Sequence, residues 1–286
     1  MQSINILGAG RVGQTLGRLL AQSTGYRVQG VLTRHPSSAQ AAVGFIGAGQ
    51  AHTELQTMPA ADLWMLAVPD GQIAPMAAAL AELDGLQPGL AFHCSGALCA
   101  NELQILQAKG WQVASAHCLL SFAQPATALG QFAGTPCALE GNAQGLPILR
   151  ALFTQLGASC FELASADKLL YHAAAVFATN FIPVLQDLAE RLWQHTHMPP
   201  ELARQMRATL LTNAVNNIVQ LGPQAALTGP ASRGDTALVA QQAQAVTYWD
   251  AQAGAAYKAL SELAQQLAQR HCPQPQTTER IEMDAA

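Results

Sequence analysis

The sequence predicts an α/β fold, with a Rossmann-type parallel sheet followed by an all-helical C-terminal domain. Three observations carry that expectation. Apolar runs of strand length alternate with helical patterns up to about residue 164, which argues βαβ units and a parallel sheet. The first run ends abruptly in Gly8-Ala9-Gly10-Arg11-Val12-Gly13 and passes at once into a helical pattern. From Ala166 onward strand-like alternation stops, and apolar residues recur every three or four positions.

The glycine turn is the organising stretch. Gly8 permits a sharp reversal after the strand, Gly10 leaves room for a pyrophosphate to approach the backbone, and Gly13 lets the helix pack closely on the sheet. Arg11, Val12 and Gly13 open that helix, where free N–H groups and the helix dipole favour phosphate. The strand–turn–helix context raises this motif well above a bare glycine pattern. An NAD-preferring site places an acid about 20 residues beyond the glycines. After the strand at Tyr26–Leu32 that place holds Thr33 and Arg34, with His35 and Ser37 close by. A cation with hydroxyls suits a 2′-phosphate, so Thr33, Arg34 and Ser37 predict NADP(H).

The chain continues in the same rhythm. Residues 38–50 read as a helix closing on Gly47-Ala48-Gly49, and 63–68 as a strand buried on both faces, ended by Pro69-Asp70. A helix over 72–84, a strand at Leu90–His93, a further helix and a strand over 112–117 follow. Short strands over 135–140 and 159–163, separated by a helix over about 143–156, extend the sheet at one edge. A long amphipathic helix then carries Leu169, Ala173, Leu185, Leu188 and Leu192, with Pro183 placing a kink near Thr179. Pro199-Pro200 opens a second helix, which Gly222-Pro223 stops. Asp235 is placed to cap the next one after the loop over 227–234. The domains are set at 1–164 and 165–286, with a disordered tail from about 273.

Composition narrows the function. Half of the 286 residues are hydrophobic and 11% are charged, enough for a sizeable core and an interface. A net charge of −4 gives no reason to expect nucleic acid or an anionic membrane surface. No run reaches about 18 uninterrupted apolar residues, so no membrane span is predicted. The start of the chain lacks a basic segment, so no signal peptide is predicted. The six cysteines form no C-x-x-C pair, which predicts reduced thiols in a cytoplasm.

The glycine turn, Ala67-Val68-Pro69-Asp70, His93-Cys94-Ser95-Gly96-Ala97, 117–122, 171–178 and 227–235 together resemble the short-subunit dehydrogenase-like oxidoreductases. In that family a Rossmann half is joined to an uncharacterised helical domain. More distantly, the chain is similar to pyrroline-5-carboxylate reductases, deazaflavin-dependent NADP reductases and β-hydroxyacid dehydrogenases. The resemblance implies a nicotinamide-dependent redox reaction in a cleft between the two halves, with the helical half also forming a homodimer. β-Hydroxyacid dehydrogenases carry a lysine and an asparagine one turn apart on the first long helix. Lys168 and His172 have that spacing here, so an imidazole replaces the carboxamide. Ser95-Gly96 resembles the serine-glycine loop beside the nicotinamide.

The site expected from these readings sets the nicotinamide over Val68, Pro69, Ser95 and Gly96. His172 is the proton donor, with Lys168 beside it on the same helix face. Lys168 reads equally as a solvated residue at a helix start, and His172 as a core histidine bonded to a backbone carbonyl. Ser95 is a cofactor-loop residue rather than a nucleophile. Arg233 orients an acidic substituent, and His117 joins it in binding substrate. His93, Cys94, His117 and Cys118 stand at consecutive strand ends, but neighbours on a strand point to opposite faces, so no metal is predicted. The predicted function is an NADP-dependent oxidoreductase acting on a small carbonyl or imine. The competing readings are an NADP-binding regulatory or redox-sensing protein without turnover, and a structural protein with a relict Rossmann half.

Overall fold

The computed structural model describes residues 1–270; the tail predicted to be disordered from about 273 lies outside the described residues. Its strands are β1 (Gln2–Leu7), β2 (Tyr26–Leu32), β3 (Gln50–His52), β4 (Leu63–Leu66), β5 (Leu90–His93), β6 (Gln112–Cys118), β7 (Pro136–Gly141) and β8 (Ser159–Glu162). They form one sheet in the order β3-β2-β1-β4-β5-β6-β7-β8. The pairs from β3 to β6 are parallel. β7 runs antiparallel to β6, and β8 parallel to β7. The strand order reverses between β1 and β4, the place where open α/β sheets form a ligand crevice.

Helices α1 (Arg11–Gln22), α2 (Pro36–Ile46), α3 (Ile73–Ala81), α4 (Gln104–Gln107), α5 (Pro125–Gln131) and α6 (Gly145–Gln155) complete the alternation. The central strands β4 and β5 are buried on both faces. Leu63 and Met65 of β4 join the core with Leu16, Leu20, Ile46 and Phe153 on one side. Trp64 and Leu66 join Ile73, Leu80, Leu103 and Trp111 on the other. That two-sided burial explains why β4 is apolar throughout, each large side chain stabilising the fold by about 1.5–3 kcal/mol. Trp64 meets Trp111 edge-on at 6.2 Å, and Phe92 meets Phe153 at 6.0 Å.

Several boundaries differ from the sequence expectation. The helix predicted over 38–50 ends at Ile46, because Gly47 adopts φ 78°, and the three-residue β3 follows. The helix predicted over 72–84 is shorter, with a 3₁₀ turn at Asp70–Gln72 ahead of α3. α5 went unrecognised because its Pro and Gly disguise a two-turn element.

Beyond the sheet come α7 (Lys168–Ala175), α8 (Phe181–His195), α9 (Pro200–Ala226), α10 (Thr236–Trp249) and α11 (Ala251–Gln269). A π-turn at Val176–Asn180 separates α7 from α8. Pro183 offers no N–H to the carbonyl of Thr179, which accounts for the irregularity there. The compact units divide at Asn180 and Phe181, not near residue 164, because α7 stays with the sheet. Within the second unit, Gly222 at φ 76° and ψ 165° breaks α9 before Pro223, and a helical turn resumes to Ala226. Asp235 is the N-cap residue of α10, yet its side chain makes no capping bond. Asp250 does cap α11, accepting from the Ala253 N–H at 2.9 Å.

One helical stretch among the described residues, Ser165–His195, is long and apolar enough by length and composition to cross a membrane, at mean hydropathy 1.3. The expectation of no membrane span rests on uninterrupted runs, and length and composition alone do not overturn it. The first turn of that stretch is bonded to the sheet through Lys168, as described next.

Candidate functional site

The site gathers where β1, β4, β5 and β6 end, all within residues 1–180. Gly8 sits at φ 89°, and a Cβ there would lie 2.6 Å from the Ala67 carbonyl oxygen and 2.8 Å from Val68 Cγ1. A Cβ on Gly13 would collide with the Gly8 carbonyl. Gly10 differs: a Cβ there would meet no atom within 4 Å. Gly10 is also the N-cap residue of α1, and no side chain caps that helix. The opening N–H groups of Arg11, Val12 and Gly13 thus have no side-chain cap, and Gly10 leaves beside its own backbone the room that a pyrophosphate requires. At the end of β2, Thr33 Oγ donates to the His35 carbonyl at 2.9 Å, and Arg34 and Ser37 are exposed. No carboxylate stands among residues 33–37. The residues present thus fit a dinucleotide.

A pocket of about 260 Å³ opens beside α1 and the ends of β5 and β6. Val12, Leu16 and Phe122 give it apolar walls, and Asp70, His117 and His172 its polar groups. Val68 and Pro69 lie between β4 and Asp70 and are not themselves among the pocket's lining residues. Gly96 stands over the two imidazoles: a Cβ there would lie 2.5 Å from His172 Nδ1 and 2.7 Å from His117 Nε2. The two rings meet edge-on at 5.5 Å. His172 Nδ1 is buried and has no hydrogen-bond partner. His117 Nδ1 pairs with the Tyr171 hydroxyl at 2.9 Å. Burial pushes the His117 pKa down to about 4, with His172 and Lys168 adding to the effect. Burial raises that of Tyr171 to about 12.

The core histidine bonded to a backbone carbonyl does exist, at His93 rather than His172. His93 is fully buried, its Nε2 3.0 Å from the Cys99 carbonyl oxygen, while its Nδ1 accepts from the Ser95 N–H at 3.2 Å. Burial holds its pKa down to about 4, although the Cys99 bond opposes the shift.

Lys168 is neither solvated nor in the pocket lining. It is 2% exposed, and Nζ donates to the Ser95 carbonyl at 3.0 Å and to Ser115 Oγ at 2.6 Å. Glu140 Oε2 lies 3.9 Å from that ammonium. The Glu140 carboxylate also accepts from the Ala100 N–H at 2.7 Å, Ser115 Oγ at 2.9 Å and Ser165 Oγ at 2.7 Å. Burial lowers the Lys168 pKa, and Glu140 opposes that shift. The reversed direction of β7 creates this network, since it sets Glu140 opposite Ser115.

Ser95 Oγ is equally committed. It donates to Asp70 Oδ2 at 3.0 Å and accepts from the N–H groups of Ala97 at 3.2 Å and Leu98 at 3.0 Å. Both side chains thus spend their polar atoms on the 95–98 loop and its neighbours. Arg233 lies in the second unit, 3.5 Å from Asp235. Among the described residues no three His, Cys, Asp or Glu side chains gather as a metal set. Cys118 instead donates to Cys137 Sγ at 3.4 Å, and burial raises the Cys94 thiol to about 12. Sequence reasoning missed Tyr171, Asp70, Ser115 and Glu140. Asp70, which directly follows the Val68-Pro69 loop, carried the one usable signal.

Residues 1–117 match the model of a Rossmann-like domain, and residues 135–264 match that of a domain of unknown function, DUF2520. His117 is the last residue of the Rossmann-like match, and His172 lies inside the DUF2520 match. No curated protein sequence matches the chain. Among solved structures, a Thermotoga maritima protein is 26% identical over 93% of this chain and 98% of its own, with a TM-score of 0.71. A Bacteroides fragilis protein provisionally named an NADP oxidoreductase is 21% identical over 93% and 98%, with a TM-score of 0.74. A pyrroline-5-carboxylate reductase from Coxiella burnetii is 13% identical over 94% and 99%, with a TM-score of 0.56. The last two establish likeness of fold.

Proposed function

We propose that the protein is an NADP-dependent oxidoreductase that reduces a small carbonyl or imine, or runs the reverse reaction. The observation that carries this reading is the convergence of His172 Nδ1 and His117 Nε2 beneath Gly96, beside an uncapped glycine turn in the same unit. The likeness of fold to the Bacteroides fragilis and Coxiella burnetii proteins supports it, as does the resemblance to the short-subunit dehydrogenase-like oxidoreductases.

Gly8, Gly10 and the first amides of α1 hold the pyrophosphate. Arg34, with Thr33 and Ser37, holds the 2′-phosphate and gives NADP(H) preference over NAD(H). The nicotinamide, when bound, supplies or accepts the hydride. Asp70, Ser95 and Lys168 hold the 95–98 loop that borders the pocket. His172 gives its Nδ1 proton to the oxygen or nitrogen of the group being reduced and takes it back in oxidation. The five described cysteines carry no disulfide, which suits a cytoplasmic setting. A homodimer through the C-terminal helices covers Leu210, Val215, Ile218 and Val219 of α9, all exposed in the single chain.

Fluorescence titration with NADPH and NADH, followed by NADPH oxidation with a panel of small ketones and cyclic imines, tests the reading. Tight NADPH binding with turnover of a panel member is the expected result. Absence of cofactor binding overturns it, and binding without turnover on any carbonyl or imine favours the regulatory alternative.

A further inference from the structure

Resting on the oxidoreductase reading above, we propose that His117 is a neutral hydrogen-bond donor to the carbonyl oxygen or imine nitrogen of the substrate, with Tyr171 as its positioning residue. Tyr171 is wedged between Phe161 of β8, at 6.2 Å between ring centres, and His117 of β6, at 5.5 Å and 89°. That packing aims the phenol at His117 Nδ1, 2.9 Å away. A phenol is the better donor of the two groups and an imidazole nitrogen the better acceptor, so the Tyr171 hydroxyl donates. A neutral imidazole with Nδ1 so occupied carries its proton on Nε2. That nitrogen stands 2.7 Å from the point where Gly96 lacks a side chain.

His117 stays neutral because burial and the facing groups His172 and Lys168 oppose a second proton, Asp70 only partly offsetting them. A neutral imidazole polarises an acceptor without giving up its proton. Its neighbour His172 presents Nδ1 to the same point, 2.5 Å away and without a protein partner. The two rings therefore divide the work. As the new C–H bond forms in a ketone, the C=O π pair moves onto oxygen. His117 Nε2–H holds that oxygen, and His172 supplies the proton that completes the alcohol. An imine nitrogen is held in the same way and leaves as an amine. The site thus selects substrates whose reacting heteroatom accepts a hydrogen bond and fits beneath Gly96.

Two-bond ¹H–¹⁵N correlation spectra of protein carrying ¹⁵N-labelled histidine read the tautomer without turnover. The expected result is a His117 proton on Nε2, with an Nδ1 signal shifted upfield by the Tyr171 bond. Tyr171→Phe removes that shift and lets both tautomers appear. Incorporating 3-fluorotyrosine, a stronger donor in a preserved fold, moves the Nδ1 signal further. Cyclopentanone added to the protein with NADP⁺ bound moves the His117 Nε2 proton downfield. A proton on Nδ1, no response to either tyrosine change, or no response to the ketone in protein that binds NADP⁺ overturns the inference. Failure to bind NADP⁺ overturns the oxidoreductase reading itself, which separates the two outcomes.

Discussion

The Lys168 ammonium donates to the Ser95 carbonyl at 3.0 Å, tying the first turn of α7 to a loop 73 residues earlier in the chain. With Ser115 and Glu140 it forms a buried polar network in which every member has a partner. Removing one charge from such a pair leaves the other buried and uncompensated, at a cost of about 3–5 kcal/mol. Lys168→Met is therefore expected to lower stability by about that amount in urea unfolding. Adding Glu140→Gln should recover a large part of the loss. Independent, additive losses in the double variant would show that the two groups do not act as a pair.

Arg34 gives the cofactor preference its test. Arg34→Ala is expected to weaken NADPH binding by about tenfold or more, the worth of one charge-assisted contact to a phosphate, and to leave NADH unchanged. Fluorescence titration with both cofactors measures this. Equal losses for the two would move the 2′-phosphate away from the end of β2.

His172→Ala should lower turnover by about 10²–10⁴ on a panel substrate while the NADPH dissociation constant stays nearly constant. Its Nδ1 has no protein partner, so this change should also leave the unfolding midpoint close to wild type. A large stability loss with unchanged turnover would return His172 to a packing role.

Buried neutral histidines make the fold acid-sensitive. His93 has its pKa lowered from 6.5 to about 4. The unfolded chain then binds the proton more readily than the folded one between those values. The stability contribution is complete above about pH 6.5 and falls as pH drops toward 4, by a few kcal/mol. Urea midpoints at pH 7.5 and 4.5 should therefore differ less in His93→Gln than in the wild type. An unchanged difference would assign the acid sensitivity to other groups.

The assembly has a direct test. Light scattering is expected to give twice the 30.0 kDa chain mass at micromolar concentration. Val219, 79% exposed in the single chain, is well placed for disruption, and Val219→Glu should shift the mass toward the monomer. A monomeric wild type would remove the interface on α9.

Much of the fold was legible because two-sided burial leaves a plain record. β4 is a continuous apolar run, and Gly8 ahead of α1 is forced by contacts with Ala67 and Val68. The irregularity near Thr179 was legible from Pro183, whose missing N–H acts locally. The site was less legible because its relationships join distant residues. The fate of Lys168 depends on Glu140, which reaches it only through the antiparallel turn-back of β7. His93 and His172 look alike in sequence, and only their partners distinguish a satisfied ring from one with an open nitrogen. Tyr171 was hidden for the same reason, since its neighbour His117 comes from a strand 54 positions away.

Gly96 acts as an aperture. Because a single methyl group there would land on both imidazole nitrogens, Gly96→Ala amounts to a built-in plug for the chemical end of the pocket, while the phosphate end beneath Gly10 stays open. Gly96→Ala therefore offers a one-carbon means of separating cofactor binding from the proposed chemistry.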